Sequence, residues 1–290
     1  MDLIAQRRNE NKEKKKITGP PRPFIKWVGG KRQILSQIDR YLPKKYNKYI
    51  ENFVGGGALF FYLLQENAIL IDNNPDLINC YEIIKEKVEL LITSLKKHKN
   101  EKEYFYKIRE LDRNPEEFRT LDNVEKASRT LFLNKTCYNG LYRVNRKNQF
   151  NTPFGRYKNP KICDEENLRA VSNILQNTQI YKADFEKVLD FAEKGDFIYC
   201  DSPYHPISNT ANFTGYTKEE FGEKEQKRLL SVFSKLDDRG CQVLLSNSHT
   251  PFILNLYANY HIHVLKAKRA VNSNPLKRGT INEVLISNFS

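Results

Sequence analysis

Four consecutive residues carry the sharpest chemical signal in the chain: Asp201-Ser202-Pro203-Tyr204, at the end of the apolar run Phe197-Ile198-Tyr199-Cys200. They offer two acceptors and a stacking face. Asp201 can accept one proton of an exocyclic amine, the Ser202 carbonyl, held by Pro203, can accept the other, and Tyr204 can stack on the heterocycle. Two acceptors draw the amino lone pair out of ring conjugation, so that it can attack a methyl sulfonium directly with no covalent nucleophile. The end of a strand in an open α/β sheet is also where ligands sit. The same tetrapeptide fits an ordinary Asp-Ser-Pro turn, so its neighbours have to decide. As a strand residue, Cys200 turns its side chain to the opposite face from the acid. His205 reads as a surface loop residue with no carboxylate partner identifiable in the sequence.

A second constellation lies upstream. Phe53-Val54-Gly55-Gly56-Gly57 follows a predicted strand and opens a predicted helix. Glycines there let the backbone turn tightly and let a ligand approach the helix N-terminus with no Cβ in the way. Asp72, 17 residues after Gly55, ends the next apolar strand, where an acid is suited to the two ribose hydroxyls of an adenosine cofactor. The dinucleotide pattern G-x-G-x-x-G is absent, which disfavours a nicotinamide enzyme and favours S-adenosylmethionine. Phe24-Ile25-Lys26-Trp27-Val28-Gly29-Gly30-Lys31 can supply groups around the methionine end, with the only Trp of the chain. An ordinary glycine turn, a helix-capping Asp72 and a buried Trp beside a turn would account for the same residues.

Predicted strands at 49–54, 68–72, 196–200 and 242–246 alternate with predicted helices at 57–66, 185–193 and 218–236. Such alternation indicates an α/β sheet with helices on both faces. Thr217 and Glu220 fit a capping box for the long helix and Gly240 its end. Segments 262–268 and 281–289 are expected to pair as a closing antiparallel hairpin. Between the strands at 68–72 and 196–200, residues 76–163 read as an inserted unit with helices near 76–97 and 124–134 and a basic hairpin after them. The resulting division is a basic arm (1–22), a catalytic domain (23–75 and 164–290) and the insert.

The chain has 290 residues and a net charge of +13. The excess is local: residues 1–32 carry +7, 135–161 carry +7 and 266–278 carry +5, leaving −6 elsewhere. Concentrated positive segments suit a polyanion, so nucleic acid is the first partner to test. At 39% hydrophobic and 12% aromatic the chain can bury a core and is not a disordered basic tail. No apolar run approaches a membrane span, and no secretory signal is visible, so the expected setting is the cytoplasm, with the nucleoid. The five cysteines, Cys80, Cys137, Cys163, Cys200 and Cys241, form no CxxC pair and argue against a disulfide framework or a metal site.

Taken together these motifs resemble the Dam-type N6-adenine DNA methyltransferases of the α order (D12 class), from about Pro23 to the C-terminus. Phe24 to Lys31 looks like the first family motif, Glu51-Asn52-Phe53-Val54-Gly55-Gly56-Gly57 like the cofactor loop, and Asp72-Asn73-Asn74 like the ribose-binding element. Ala183-Asp184-Phe185 resembles the segment whose acid meets the cofactor adenine, and Asp201-Ser202-Pro203-Tyr204 resembles the catalytic D-P-P-Y. The resemblance implies a Rossmann-like S-adenosylmethionine-dependent fold with an inserted target-recognition domain and β-hairpin. It places Trp27, Lys31, Phe53, Gly55, Gly57, Asp72, Asp184 and Asp201 at the cofactor, Asp201 through Tyr204 at catalysis, and Lys26 on DNA bases.

The insert, Tyr138-Asn139-Gly140-Leu141-Tyr142-Arg143-Val144-Asn145 with Asn151 to Tyr157, is similar to the loop and hairpin through which GATC-specific members read their site. Double-stranded DNA is the implied partner. Residue chemistry agrees: Arg143 can make a bidentate contact to guanine, Leu141 and Pro153 can meet a thymine methyl, and Arg156 and Lys158 can hold phosphates beside Tyr157. Tyr138 can fill the gap left by an extruded adenine, because N6 is not reachable for in-line transfer inside the stack. Ser202 and Asn52 depart from the family pattern, each standing where proline is usual. The activity expected is adenine N6 methylation by a monomer or weak dimer, in GATC. N4-cytosine transfer is the alternative within the class. A non-catalytic DNA-binding module and an RNA methyltransferase are the competing classes; a hairpin suited to the major groove argues for duplex DNA.

Overall fold

Short apolar runs build the centre of the molecule. The computed structural model describes residues 19–206, 221–268 and 280–290. Strands β1 (Tyr49–Glu51), β2 (Ile69–Asp72), β3 (Gln179–Lys182), β4 (Phe197–Cys200), β5 (Gln242–Ser248), β6 (His261–Lys268) and β7 (Thr280–Ser287) form one seven-stranded sheet in the order β3-β2-β1-β4-β5-β7-β6. Pairing is parallel from β3 through β5; β7 runs antiparallel between β5 and β6. The closing segments therefore pair as the sequence led us to expect, with β7 inserted beside β5.

Alternation along each strand divides the core into two layers. Tyr49, Leu70, Phe197, Tyr199 and Leu244 face one layer. Ile50, Ile69, Ile71, Ile198, Cys200, Val243 and Leu245 face the other. Central parallel strands buried on both faces read as unbroken apolar runs, and each such side chain contributes about 1.5 to 3 kcal/mol of burial. Helices α1 (Leu35–Ile38), α2 (Ala58–Leu63), α3 (Pro75–Leu95) and α7 (Glu165–Leu175) lie with the first layer. Helices α8 (Glu223–Asp238) and α9 (Pro251–Leu256) cover the second.

Several local expectations need adjustment. Segment 185–193 is a 3₁₀ turn, Phe185–Asp190, capped by Asp184. The long helix starts at Glu223, not Lys218. Gly222 is its N-cap, with no side-chain cap, and Glu223 and Glu225 sit in its first turn, where negative charge complements the helix dipole. Thr217 and Glu220, the basic run 7–16 and most of the basic segment 266–278 lie outside the described residues.

The insert adds α4 (Lys102–Glu110), α5 (Pro115–Thr120) and α6 (Asn123–Thr136). A capping box between Asp122 and Glu125 starts α6. Its expected hairpin contains no regular strand: two isolated antiparallel bridges, Cys137–Phe154 and Val144–Phe150, hold it together. Positive φ at Asn139, Gly140, Asn148 and Arg156 interrupts a continuous ladder. The insert has its own small core of Phe105, Phe132, Leu133, Cys137, Tyr142 and Phe150.

His98 borders that core. Its ring stacks on Phe132 at 4.3 Å and shares hydrogen bonds with Tyr104 Oη (2.9 Å) and Ser128 Oγ (3.1 Å). Burial lowers its pKa from 6.5 to about 4. The unfolded chain therefore takes up this proton first, and the stability present above pH 6.5 is lost as pH falls toward about 4. Urea unfolding across that window is expected to show a smaller acid loss for His98→Gln than for the parent. Equal losses would remove His98 as the cause.

Candidate active site

The strand order reverses direction between β1 and β4, and the loops leaving their carboxyl ends diverge there. That opens the crevice in which open α/β sheets hold ligands. Glu51 on β1 is paired in register with Tyr199 on β4, so the glycine loop and Asp201 emerge side by side.

Lys31, from a 3₁₀ turn (Lys31–Gln33), reaches into this crevice. Its ammonium lies 2.6 Å from Asp201 Oδ1 and donates to the Gly29 carbonyl at 2.7 Å. It also sits 4.6 Å from the centroid of the Tyr204 ring. Burial raises the Asp201 pKa; the Lys31 charge and hydrogen bond oppose the rise, and Glu283 adds to it. The Tyr204 hydroxyl donates to Glu283 Oε2 at 2.9 Å, and burial keeps that phenol neutral. Ser202 is buried, and among the described residues its hydroxyl has no hydrogen-bond partner. Cys200 faces the second core layer, its thiol pushed up to about 12 by burial, so it is no nucleophile. His205 stacks on Phe252 and lies 3.9 Å from Glu223, a carboxylate partner that sequence spacing does not disclose.

On the other side, Asp72 Oδ2 accepts from the Gly55 N–H at 3.0 Å and Oδ1 from the Asn74 N–H at 2.9 Å. Gly55 has φ +47°, and a Cβ there would lie 2.8 Å from Trp27 Cδ1. Only glycine lets the indole lie on this turn. Gly57, the α2 N-cap at φ +65°, has Tyr81 Oη only 2.7 Å from where a Cβ would be. Trp27 stacks in turn on Tyr142 at 4.9 Å, joining the loop to the insert, and Phe53 stacks on Phe185 at 5.2 Å. Glu51 is buried and accepts from Tyr49 Oη at 2.8 Å. Burial raises the pKa of Glu51, Asp72 and Asp201 alike. Among the described residues only Asp201 of the three has an ion-pair partner, Lys31.

Asp184 lies apart from that trio. Its carboxylate caps Glu186 N at 3.0 Å and pairs with Arg228, whose guanidinium covers the Phe185 ring at 4.3 Å.

In the insert, Asn134 ties the first motif to the turn at 138–141. Its side chain accepts from Lys26 N (3.0 Å) and donates to the carbonyls of Lys26 (2.9 Å) and Gly140 (3.0 Å). Lys26, Tyr138, Arg143, Pro153, Arg156, Tyr157 and Lys158 are exposed, while Asn139 and Leu141 are half-buried. Arg143 Nε donates to Asn151 Oδ1 at 2.7 Å, which extends the guanidinium along the segment. Asn145 is spent within the tip: Oδ1 accepts from Lys147 N and Gln149 N, and Nδ2 donates to Gln149 Oε1. Among the described residues no ion pair engages Lys26, Arg143, Arg146, Lys147, Arg156 or Lys158.

Comparison with known sequences identifies the family. The profile of the D12 class N6 adenine-specific DNA methyltransferases matches residues 27–271. The chain belongs to that class. This methyltransferase is 45% identical to the type II methyltransferase M1.LlaDCHI of Lactococcus lactis subsp. cremoris, over 92% of the chain and 95% of that protein. It is 45% identical to the type II methyltransferase M.MjaIII of Methanocaldococcus jannaschii, over 92% and 99% respectively. It is 37% identical to a DNA adenine methylase of Haemophilus influenzae, over 91% and 92%. It is an adenine-specific DNA methyltransferase with a Rossmann-like fold, and its family implies S-adenosylmethionine as methyl donor and DNA as substrate.

Sequence reasoning about this methyltransferase missed Glu283, which lies 79 residues from the tyrosine it holds. It also passed over Glu51 as a site residue and missed the clamp on the reading segment. There, Asp112 Oδ2 accepts Phe150 N at 2.8 Å while Arg113 donates to the Phe150 carbonyl at 2.7 Å. Burial of Asp112 against Arg129, 2.8 Å away, anchors that clamp in α6. No helix among the described residues is long and apolar enough to cross a membrane.

Proposed function

We propose that this methyltransferase acts on duplex DNA, extrudes one adenine from the stack and methylates its N6, reading GATC through residues 138–158. The observation that carries the chemistry is the meeting of Lys31, Asp201 and the Tyr204 ring at the carboxyl end of β4, beside the glycine loop that follows β1. Asp201 Oδ1 is engaged by Lys31, so Oδ2 accepts a hydrogen bond from one amino N–H and the Ser202 carbonyl one from the other; N6 keeps the second hydrogen and sheds only the proton that faces Asp201. Tyr204 stacks on the base, with its ring set by Glu283. With its pKa raised, Asp201 is a competent acceptor for the proton that N6 sheds.

The residues fit a cationic cofactor. Of the enclosed carboxyls Glu51, Asp72 and Asp201, only Asp201 has an ion-pair partner among the described residues, and a positively charged ligand suits such a surplus of acid. Trp27, Lys31, Phe53, Gly55, Gly57, Asp72 and Asp201 would hold S-adenosylmethionine, with Asp184 at the adenine end once Arg228 yields it. When bound, that cofactor supplies an electrophilic methyl group.

The part that reads DNA is assigned to residues 76–163, with α3 also covering the sheet. Unpaired cations on an exposed face support this role, because a cation with no internal partner is free to neutralise phosphate. Lys26, Tyr138, Asn139, Leu141, Arg143 and Pro153 meet bases or the gap in the stack; Arg156, Tyr157 and Lys158 meet the backbone; Asn145 shapes the tip. The GATC assignment rests on the similarity of this segment to that of GATC-specific members. A DNA substrate places the enzyme with the nucleoid.

Labelled methyl transfer to duplexes with and without GATC tests the reading. Transfer confined to GATC duplexes is expected, and equal transfer to both would sink the specificity. Arg143→Ala should cost about 1 to 3 kcal/mol and relax one base position, whereas Lys158→Ala should weaken all sequences alike and reduce the salt slope by about one. Methylation across a random-sequence duplex library, read at several salt concentrations, separates the two.

A further inference from the structure

Two fully buried amides, outside every motif read from the sequence, fasten the back of the catalytic loop. Gln226 on α8 and Asn247 on β5 are both 0% exposed. Asn247 Oδ1 accepts the backbone N–H groups of His205 (3.0 Å) and Ser248 (2.8 Å). Backbone N–H groups can only donate, so the orientation of the Asn247 amide is fixed. Its Nδ2 must then be the donor toward Gln226 Oε1, at 3.0 Å. That leaves Gln226 Nε2 to donate to the Pro203 carbonyl, at 2.9 Å. Ser248 Oγ completes the anchorage by donating to the His205 carbonyl at 2.7 Å.

The relay therefore has one direction, and with Ser248 it engages the Pro203 carbonyl and the His205 N–H and carbonyl. Among the described residues no hydrogen bond reaches the Ser202 carbonyl, and the buried Ser202 hydroxyl has no partner. Pro203 restricts ψ at Ser202, but serine leaves its own φ free where a proline would fix it.

We propose that Gln226 and Asn247 are positioning residues that aim the Ser202 carbonyl at the amino group of the target adenine. They supply by a buried relay the rigidity that a proline at 202 would otherwise give. The inference rests on the reading of the Ser202 carbonyl as an amino acceptor. A misdirected acceptor costs rate in the chemical step and leaves ground-state binding of cofactor and DNA in place.

The test uses the full chain and a substrate duplex. Gln226→Met keeps the volume and removes both relay contacts. Single-turnover transfer should fall roughly 30- to 100-fold, while the KM for S-adenosylmethionine and the Kd for DNA stay within about 3-fold, the split expected when only transition-state contacts are lost. Ser202→Pro should raise the rate by a larger factor in the Gln226→Met background than in the parent, a coupling that a general packing defect would not give. Ser248→Ala, which deletes one hydroxyl and leaves no buried amide unpaired, should show the same split at smaller size even where Gln226→Met folds poorly. Parental rates in Gln226→Met and Ser248→Ala, or equal effects of Ser202→Pro in both backgrounds, would overturn the positioning role. An Asp201→Ala variant measured alongside keeps the two claims apart: full activity there would strike at the assignment of the acceptors itself.

Discussion

Asp201→Ala is expected to lose about 10³-fold or more in single-turnover methyl transfer while binding substrate DNA within a few-fold of the parent, because a fixed acceptor in a water-poor site acts on the chemical step. The carboxylate has two tasks that alanine cannot share. One oxygen neutralises Lys31 across 2.6 Å, and the other is left to accept an amino proton. Lys31 is only 4% exposed, so truncation strands a buried ammonium, a defect worth about 3 to 5 kcal/mol in comparable settings. A melting curve must therefore accompany the assay. Asp201→Asn is the fairer comparison for the chemistry: it keeps the shape and an oxygen toward Lys31, but presents a donor where the amino group needs an acceptor. Its loss should be nearly as large in rate and smaller in stability. Turnover within tenfold of the parent in both variants would remove Asp201 from the reaction.

The reading of the motifs from sequence and the later position of their partners separate along a physical line. Tyr49–Glu51, Ile69–Asp72 and Phe197–Cys200 are buried on both faces, and their apolar character alone marked them. Strand β3, Gln-Ile-Tyr-Lys, lies at the sheet edge with no buried residue, and a polar edge strand of four residues has no pattern to detect. Segment 185–190 has the apolar spacing of a helix but closes as 3₁₀ turns, and Asp184 caps it by bonding Glu186 N. Its carboxylate is thus taken by the turn and by Arg228.

At the site, Gly55, Asp72, Lys31 and Asp201 announced themselves because short motifs carry their own geometry. Gln226, Asn247 and Glu283 did not, since each acts across 21 to 79 residues of intervening chain. A glutamine on the face of an amphipathic helix looks solvated until the packing of α8 on the sheet turns it inward, where it is wholly buried. Likewise Asp112 and Arg113 belong to no sequence motif, yet they hold both backbone groups of Phe150.

Lys31→Met is expected to make methyl transfer markedly more sensitive to acid. The Asp201 carboxyl is already held above the ordinary carboxylate range by its enclosure, and the strongest influences against that rise are the charge and hydrogen bond of Lys31. Removing them leaves desolvation and the Glu283 charge, both of which favour the protonated acid, so the pKa climbs further. Only the carboxylate accepts an amino proton. Activity therefore rises with pH through the Asp201 pKa, and the acid limb of kcat/KM should move to higher pH in Lys31→Met. The deficit should be largest at the acid end of the profile and shrink as the pH rises. Lys31→Arg, which keeps the charge, should leave the limb near its parental position. Glu283→Gln supplies the opposite sign: removing a negative neighbour lowers the Asp201 pKa and should shift the limb toward lower pH, even though Tyr204 keeps a hydrogen-bond acceptor. A pH-independent loss in Lys31→Met, together with an unmoved limb in Glu283→Gln, would show that Asp201 does not titrate in the rate-limiting step. Lys31 would then act through its place over the Tyr204 ring, 4.6 Å from the centroid, and not through the charge it lends the acid.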